Sequence, residues 1–167
     1  MLQIYCGDGK GKTTASIGLA VRMAGAGMKV AFVQFMKGND TSELAPLALI
    51  ENIDVMRCDR NYGFYNTLSD SDKADLTACH NGLLDRAFND RYKAVILDEF
   101  NFAYGHALMD REKAKRLILG CKDKKEVIIT GRSPANEFVD DADYISEIAC
   151  VRHPYKKGIT ARKGIEY

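Results

Sequence analysis

The chain has 167 residues, 46% of them hydrophobic and 28% charged, with a formal net charge of +1. That length suits one domain spanning residues 1–167, and so small a net charge offers no long-range attraction to nucleic acid or to acidic membranes. No apolar run reaches the roughly 20 residues of a membrane span. Met1 leads directly into a strand-like segment rather than a signal peptide, and the five cysteines include no CxxC pair, so reduced thiols and a cytoplasmic setting are expected.

Leu2, Ile4 and Tyr5 predict a short buried strand, and Ile17, Ala20, Val21 and Ala24 repeat at helical spacing. Between them lies Cys6-Gly7-Asp8-Gly9-Lys10-Gly11-Lys12-Thr13-Thr14. A glycine-rich turn between a strand and a helix N-terminus binds phosphate. Its N–H groups point inward, the helix dipole adds positive charge, and a lysine reaches the outer phosphates. Gly7, Asp8, Gly9, Lys10, Gly11, Lys12, Thr13 and Thr14 are therefore candidate nucleotide-binding residues. Lys12 takes the lysine role and the Thr13 hydroxyl is a candidate Mg²⁺ contact. The ordinary loop has glycine, four residues, then Gly-Lys-Ser/Thr. Here Cys6 stands where the first glycine belongs, so the loop from Gly7 to Gly11 is one residue short. Ordinary γ-phosphate transfer does not follow from a loop so contracted.

The first helix should end near Gly25-Ala26-Gly27, and Arg22 on it faces either the nucleotide or solvent. Val30, Ala31, Phe32, Val33 and Phe35 predict a strand covered on both faces. It delivers Gln34 and Lys37 to the C-terminal edge of the sheet, where open parallel sheets bind ligands; Lys37 is either a ligand contact or a solvated loop charge. Residues 42–50 predict a short helix, and Ile53, Val55 and Cys58 another strand. The loop Asn61-Tyr62-Gly63-Phe64-Tyr65-Asn66 carries three aromatics, to be read as a binding surface or as packing over a helix. Ser69 and Asp70 cap a helix whose buried stripe is Leu76, Leu83, Leu84, Ala87 and Phe88, with His80 as an interior or surface residue rather than a ligand.

Ala94-Val95-Ile96-Leu97-Asp98-Glu99 describes a buried strand bringing two carboxylates to the same edge. Beside a phosphate loop, such acids serve Mg²⁺ directly or through water. His106 follows nearby and is as readily structural as functional. Asp110 to Leu119 predicts a helix closed by Gly120, and Glu126 to Thr130 a strand ending in Gly131-Arg132. Arg132 either neutralises phosphate or pairs with a nearby acid. Ser133-Pro134 should start a helix, Asp143 to Ile148 resembles a last strand, and the tail from Arg152 to Tyr167 is basic and aperiodic. Strands alternating with helices imply a three-layer α/β fold, P-loop NTPase-like, with a mainly parallel sheet of about six strands.

Several separated segments then match one family. Gly7 through Thr14, Arg22, Gln34-Phe35-x-Lys37-Gly38, Leu97-Asp98-Glu99, Thr130-Gly131-Arg132, His153-Pro154 and Gly164-Ile165-Glu166-Tyr167 together resemble the CobA/CobO/BtuR-type ATP:corrinoid adenosyltransferases. The resemblance implies transfer of the adenosyl group of ATP to the Co(I) centre of a reduced corrinoid, with release of tripolyphosphate and with ATP lying across the loop in reverse. It implies Lys12, Thr13, Phe64 and Glu99 as the residues carrying catalysis, with Arg22 and Arg132 joining the loop on the ATP side. Gln34, Lys37, Tyr62, Phe64 and Tyr65 are implied on the corrinoid side. Mg²⁺ is expected on Thr13 and Glu99, with Asp98 behind them as an indirect partner. Phe64 is expected to crowd the lower face of the corrin ring and displace cobalt's lower axial ligand. A homodimer and an electron-donating reductase are inherited expectations. Two departures stand out. Asn66 occupies the place of a tryptophan in the enteric enzymes, leaving Tyr62 or Tyr65 to compensate. The chain also begins on its first strand, where longer members have a helix that helps to cover the site.

Two other functional classes stay open on the residues alone. One is a P-loop phosphotransferase or ATPase with ordinary γ-phosphate chemistry; the other is a non-catalytic ATP-binding sensor.

Overall fold

The computed structural model describes residues 1–38 and 41–166. Its strands are β1 (Leu2–Cys6), β2 (Val30–Gln34), β3 (Ile53–Arg57), β4 (Ala94–Asp98), β5 (Glu126–Thr130) and β6 (Tyr144–Glu147). They form one sheet in the order β3-β2-β4-β5-β1-β6, with every pairing parallel. The helices are α1 (Lys12–Gly25), α2 (Leu44–Ala48), α3 (Asp70–Ala87), α4 (Phe100–Gly105), α5 (Arg111–Cys121) and α6 (Asn136–Val139).

Successive strand side chains point to opposite faces, and both faces are covered. Val30, Phe32, Ala94, Ile96 and Ile128 meet Ala20, Met23 and Ala24 of α1 and Leu47 of α2. Ala31, Val33, Val95, Leu97, Val127 and Ile129 meet α3 through Leu83, Leu84 and Ala87, α5 through Ala114 and Ile118, and α6 through Phe138. The three-layer, mainly parallel architecture read from the sequence is the one observed. β6 differs from its neighbours: it lies at the sheet edge and all its residues are exposed.

Local signals set the helix starts. Ser69 and Asp72 form a capping box at α3, and Asp110 accepts from the Lys113 N–H at α5. Two boundaries differ from expectation. α5 runs through Gly120 to Cys121, whose carbonyl receives the N–H groups of Lys124 and Lys125. Ser133-Pro134 does not start a helix, because residues 131–135 form bends and extended backbone, and Ala135 occupies the cap of the single-turn α6.

The expectation of five reduced thiols is also corrected. Cys58, just past β3, and Cys79 of α3 are joined in a disulfide, with Cα atoms 6.1 Å apart. Packing α3 against this end of the sheet brings together two cysteines that 21 residues of sequence separate. Cys6, Cys121 and Cys150 are free. No helix among the described residues is long and apolar enough to cross a membrane.

His80 is fully buried on α3, with its ring edge-on to Phe35 at 4.9 Å. Because a carbonyl only accepts, Nδ1–H must donate to the Leu108 carbonyl at 2.8 Å. Nε2 has no partner. Burial disfavours the charged ring and lowers its pKa to about 4, against the smaller opposing effect of the Leu108 bond. The unfolded chain, with an ordinary histidine near 6.5, therefore binds the proton that the folded chain refuses. This contribution to stability is complete above pH 6.5 and shrinks as pH falls from 6.5 to about 4, by roughly 3 kcal/mol at most. His80→Asn, which keeps a donor for Leu108 but does not titrate, should flatten urea-unfolding stability across that window relative to the native chain. Equal slopes would refute the assignment.

Candidate active site

The contracted loop is fastened to the sheet as well as shaped for a ligand. Gly7 and Gly11 adopt left-handed backbone, with φ of 94° and 118°, and Gly11 is the cap from which α1 starts. The Gly7 N–H donates to the Arg132 carbonyl at 2.9 Å and the Gly9 N–H to the Ile148 carbonyl at 2.7 Å. A Cβ on Gly9 would lie 2.6 Å from that same Ile148 oxygen and 2.8 Å from the Ala149 oxygen. The loop thus rests against the segments leaving β5 and β6, and the N–H groups of Gly7 and Gly9 are engaged there. Lys12 Nζ lies back over the loop, donating to the carbonyls of Gly7 at 2.8 Å and Gly9 at 2.7 Å.

Asp98, at the end of the central strand β4, is fully buried. One carboxylate oxygen accepts from the hydroxyls of Thr13 and Thr130, each at 2.8 Å, and the other from Lys37 Nζ at 2.8 Å. One side chain therefore ties the loop, β5 and the chain leaving β2. Read from the sequence as an indirect partner behind Thr13 and Glu99, Asp98 bonds the Thr13 hydroxyl. Burial opposes the charge on Lys37, but the attraction and hydrogen bond of Asp98, reinforced by Glu43, outweigh it and hold the ammonium pKa above its usual value. Glu43, at the cap of α2, lies 3.5 Å from Lys37 Nζ and accepts from Gln34 Nε2 at 2.9 Å.

Glu99 follows in a left-handed conformation, φ 58°, rare for a residue with a Cβ and a mark of a constrained site. Its N–H donates to Thr130 Oγ1 at 3.0 Å, while its carboxylate bonds no described residue and faces a cleft. Burial, and then the charge of Asp98, push its pKa up. A hydroxyl that donates to Asp98 keeps its lone pairs for a cation. Thr13 Oγ1 and the unpartnered Glu99 carboxylate are thus hard oxygen donors of the kind Mg²⁺ takes in ones and twos beside phosphate. Among the described residues no group of three or more His, Cys, Asp or Glu gathers as a dedicated metal cage.

Two clefts open at this edge. The larger, 1180 Å³, runs from Asp8, Gly9, Lys10 and Lys12 past Glu99 and Arg132 to Phe64, Tyr65 and Phe102. The smaller, 740 Å³, lies over Thr13, Thr14 and Ile17, with Glu43 and the tail residues Gly164, Ile165 and Glu166 on its walls. Met36, Lys37, Gly63 and Phe64 line both and divide them. Phe64 stands 84% exposed on that divide. Tyr65 lines the larger cleft but packs edge-on to Phe102 and His106, and Tyr62 lies under the Arg60 guanidinium, 4.8 Å from its ring centre, outside both clefts.

Not every expected residue reaches the site. Gln34 is buried beneath it against Glu43 and lines neither cleft. Arg22 is exposed in the last turn of α1, three turns from Lys12, and lines neither cleft. Arg132 reaches the larger cleft, 3.8 Å from Asp8, with both side chains mostly exposed. Tyr167 lies outside the described residues. Reading the sequence missed Thr130 and Glu43, whose positions follow from the register of β4 with β5 and from the placement of α2. Thr130 stood in the sequence only as part of the Thr130-Gly131-Arg132 segment, with no role of its own, and Glu43 carries no local motif.

A family model described as ATP:corrinoid adenosyltransferase BtuR/CobO/CobP matches residues 1–167. The chain is 29% identical over 169 residues to a corrinoid adenosyltransferase of Pseudomonas aeruginosa, covering 100% of this chain and 83% of that protein. It is 28% identical over 164 residues to a corrinoid adenosyltransferase of Escherichia coli, and equally to the corrinoid adenosyltransferase CobA of Salmonella typhimurium. In each case 98% of this chain and 84% of the relative are covered.

Two glycines separate scaffold from ligand effects. Gly9→Ala should push the loop off the Ile148 and Ala149 carbonyls and weaken ATP binding by tenfold or more, roughly the effect of one lost charged contact. Gly18→Ala, exposed in α1 with nothing within 4 Å, should stabilise by about 0.5–1 kcal/mol with ATP affinity unchanged. Calorimetric titration with ATP and urea unfolding of both variants would check this.

Proposed function

The chain belongs to the ATP:corrinoid adenosyltransferase family, and on that premise we propose that it transfers the 5′-deoxyadenosyl group of ATP to the Co(I) centre of a reduced corrinoid, releasing tripolyphosphate. The electron pair of Co(I) forms the bond to C5′ as the C5′–O bond breaks, and the electrons of that bond leave on the tripolyphosphate. One observation carries the reading. A single cleft of 1180 Å³ has Lys12 and Glu99 along its floor and an exposed Phe64 on its wall. That volume lies just above the ~300–1,000 Å³ of ordinary small-molecule sites, which supports a nucleotide along Lys12 and Glu99 with part of a larger acceptor against Phe64.

The departing tripolyphosphate is highly charged, so its stabilisation is the main demand on the protein. Lys12, Lys10 and Arg132 line the cleft and supply positive charge. Loop N–H groups other than those of Gly7 and Gly9 add dipoles aimed at phosphate. Thr13 and Glu99 would hold Mg²⁺, which when bound supplies further neutralisation of the phosphates. Asp98 fixes the Thr13 hydroxyl and keeps Lys37 charged at the cleft wall. Co(I) carries no proton to remove, so no general base is required. Phe64, exposed on the divide, would meet the lower face of the corrin ring and favour loss of cobalt's lower ligand. Tyr65, which lines the same cleft beside Asn66, would compensate for the tryptophan absent there. Adenosylcobalamin biosynthesis or salvage, a homodimer of single-domain protomers, an electron-donating reductase and a cytoplasmic setting complete the proposal and rest on the family resemblance.

Mixing the protein with ATP, Mg²⁺ and a chemically reduced corrinoid should yield the light-sensitive absorption of a cobalt–carbon bond. ADP formation that does not depend on corrinoid would refute the reading in favour of γ-phosphate chemistry. Lys12→Ala should lower the rate by roughly 10²–10³. Phe64→Ala should slow reaction from Co(II) by about 10², the effect of roughly 3 kcal/mol, while reaction from supplied Co(I) changes by less than about tenfold. Equal losses from both starting states would contradict the ligand-displacing role.

A further inference from the structure

Two histidines on the larger cleft are held in opposite tautomers. His106, exposed at the end of α4, has Nδ1 2.9 Å from the Phe102 carbonyl; a carbonyl cannot donate, so Nδ1 carries the proton and neutral Nε2 is an acceptor. Its ring is stacked on Phe102 at 4.0 Å and met by the Tyr65 edge at 4.4 Å, which fixes its orientation. His153, before the tail turn at Pro154–Lys157, receives the Tyr155 N–H on Nδ1 at 3.2 Å, so neutral Nε2 carries the proton and donates. Both residues line the cleft that also holds Phe64 and Glu99. None of the family motifs in the sequence includes His106, and the adenosyl-transfer chemistry uses neither ring.

We propose that these imidazoles are specificity-determining contacts to the corrinoid and that they select acceptors whose peripheral side chains are primary amides. A primary amide presents N–H donors and a carbonyl acceptor. His106 Nε2 takes a bond from an amide N–H, and His153 Nε2–H gives one to an amide carbonyl. A carboxylate offers no donor to His106 and leaves its lone pair facing a negative charge. The inference rests on the corrinoid reading above and narrows it to one class of acceptor.

The test is titration of the ATP-loaded protein with two Co(II) corrinoids, cobinamide with all peripheral amides and cobyrinic acid with carboxylates in their place, followed by corrinoid absorbance. The native chain should bind cobinamide about tenfold more tightly or better, the effect of a hydrogen bond or two. His106→Phe keeps the stack and removes the acceptor; it should abolish the preference while leaving ATP affinity unchanged. His106→Gln, with an oxygen near the Nε2 position, should restore most of it. Equal binding of both corrinoids by the native chain, a preference that survives in His106→Phe, or a change in ATP affinity instead would overturn the inference. Binding of neither corrinoid would overturn it together with the reading it rests on. Selective binding without adenosyl transfer would sustain this inference and count against the transfer reaction alone.

Discussion

The buried carboxylate of Asp98 is the constraint on which the site depends. A lone ionised group at full burial costs several kcal/mol, and it persists here because Lys37, Thr13 and Thr130 satisfy it from three directions. Each partner comes from a different part of the sheet edge. Lys37 leaves β2 on one side of β4, Thr130 ends β5 on the other, and Thr13 descends from the first turn of α1. Fixing that carboxylate therefore fixes the glycine-rich loop relative to the strands, and it orients the hydroxyl of Thr13 and, through Thr130, the backbone of Glu99. The charge network is thus a positioning device first, and its electrostatic value to a phosphate ligand follows from where it holds things.

The loop obeys the same logic. Its missing residue is matched by tight seating on the segments after β5 and β6, where Gly9 approaches two carbonyls more closely than any side chain permits. A shorter loop held this firmly presents fewer free N–H groups to phosphate. It is paired with side-chain charge from Lys12, Lys10 and Arg132 on one cleft. Charge concentrated along one cleft, with open volume beyond it, supports the proposed departure of a whole triphosphate over transfer of its last member.

Much of this was legible in the sequence, for physical reasons. Unbroken apolar runs at residues 30–33 and 94–97 are what strands buried on both faces require, so the parallel, three-layer sheet could be read directly. The loop, Lys12, Thr13 and Glu99 carry local spacing that chemistry dictates. What stayed hidden depends on contacts distant in sequence. The Cys58–Cys79 bond needs α3 laid against β3, and Thr130 needs the β4–β5 register. Arg22 was drawn to the site by motif position, but the helix carries it three turns away. Gln34 was assigned to the corrinoid from its place at the strand end, whereas the alternation of the strand turns it inward to Glu43.

The most direct test of the central role of Asp98 is a double-mutant cycle with Lys37, read as urea-unfolding free energy. Asp98→Asn should cost about 2–3 kcal/mol, because it leaves the Lys37 ammonium with Glu43 at 3.5 Å as its remaining anionic partner and weakens the bonds from Thr13 and Thr130. Lys37→Met in the same chain should return a large share of that loss, giving a coupling of about 2 kcal/mol or more. Two effects that simply add would contradict the account, because the carboxylate would then stand at the sheet edge without organising the residues around it.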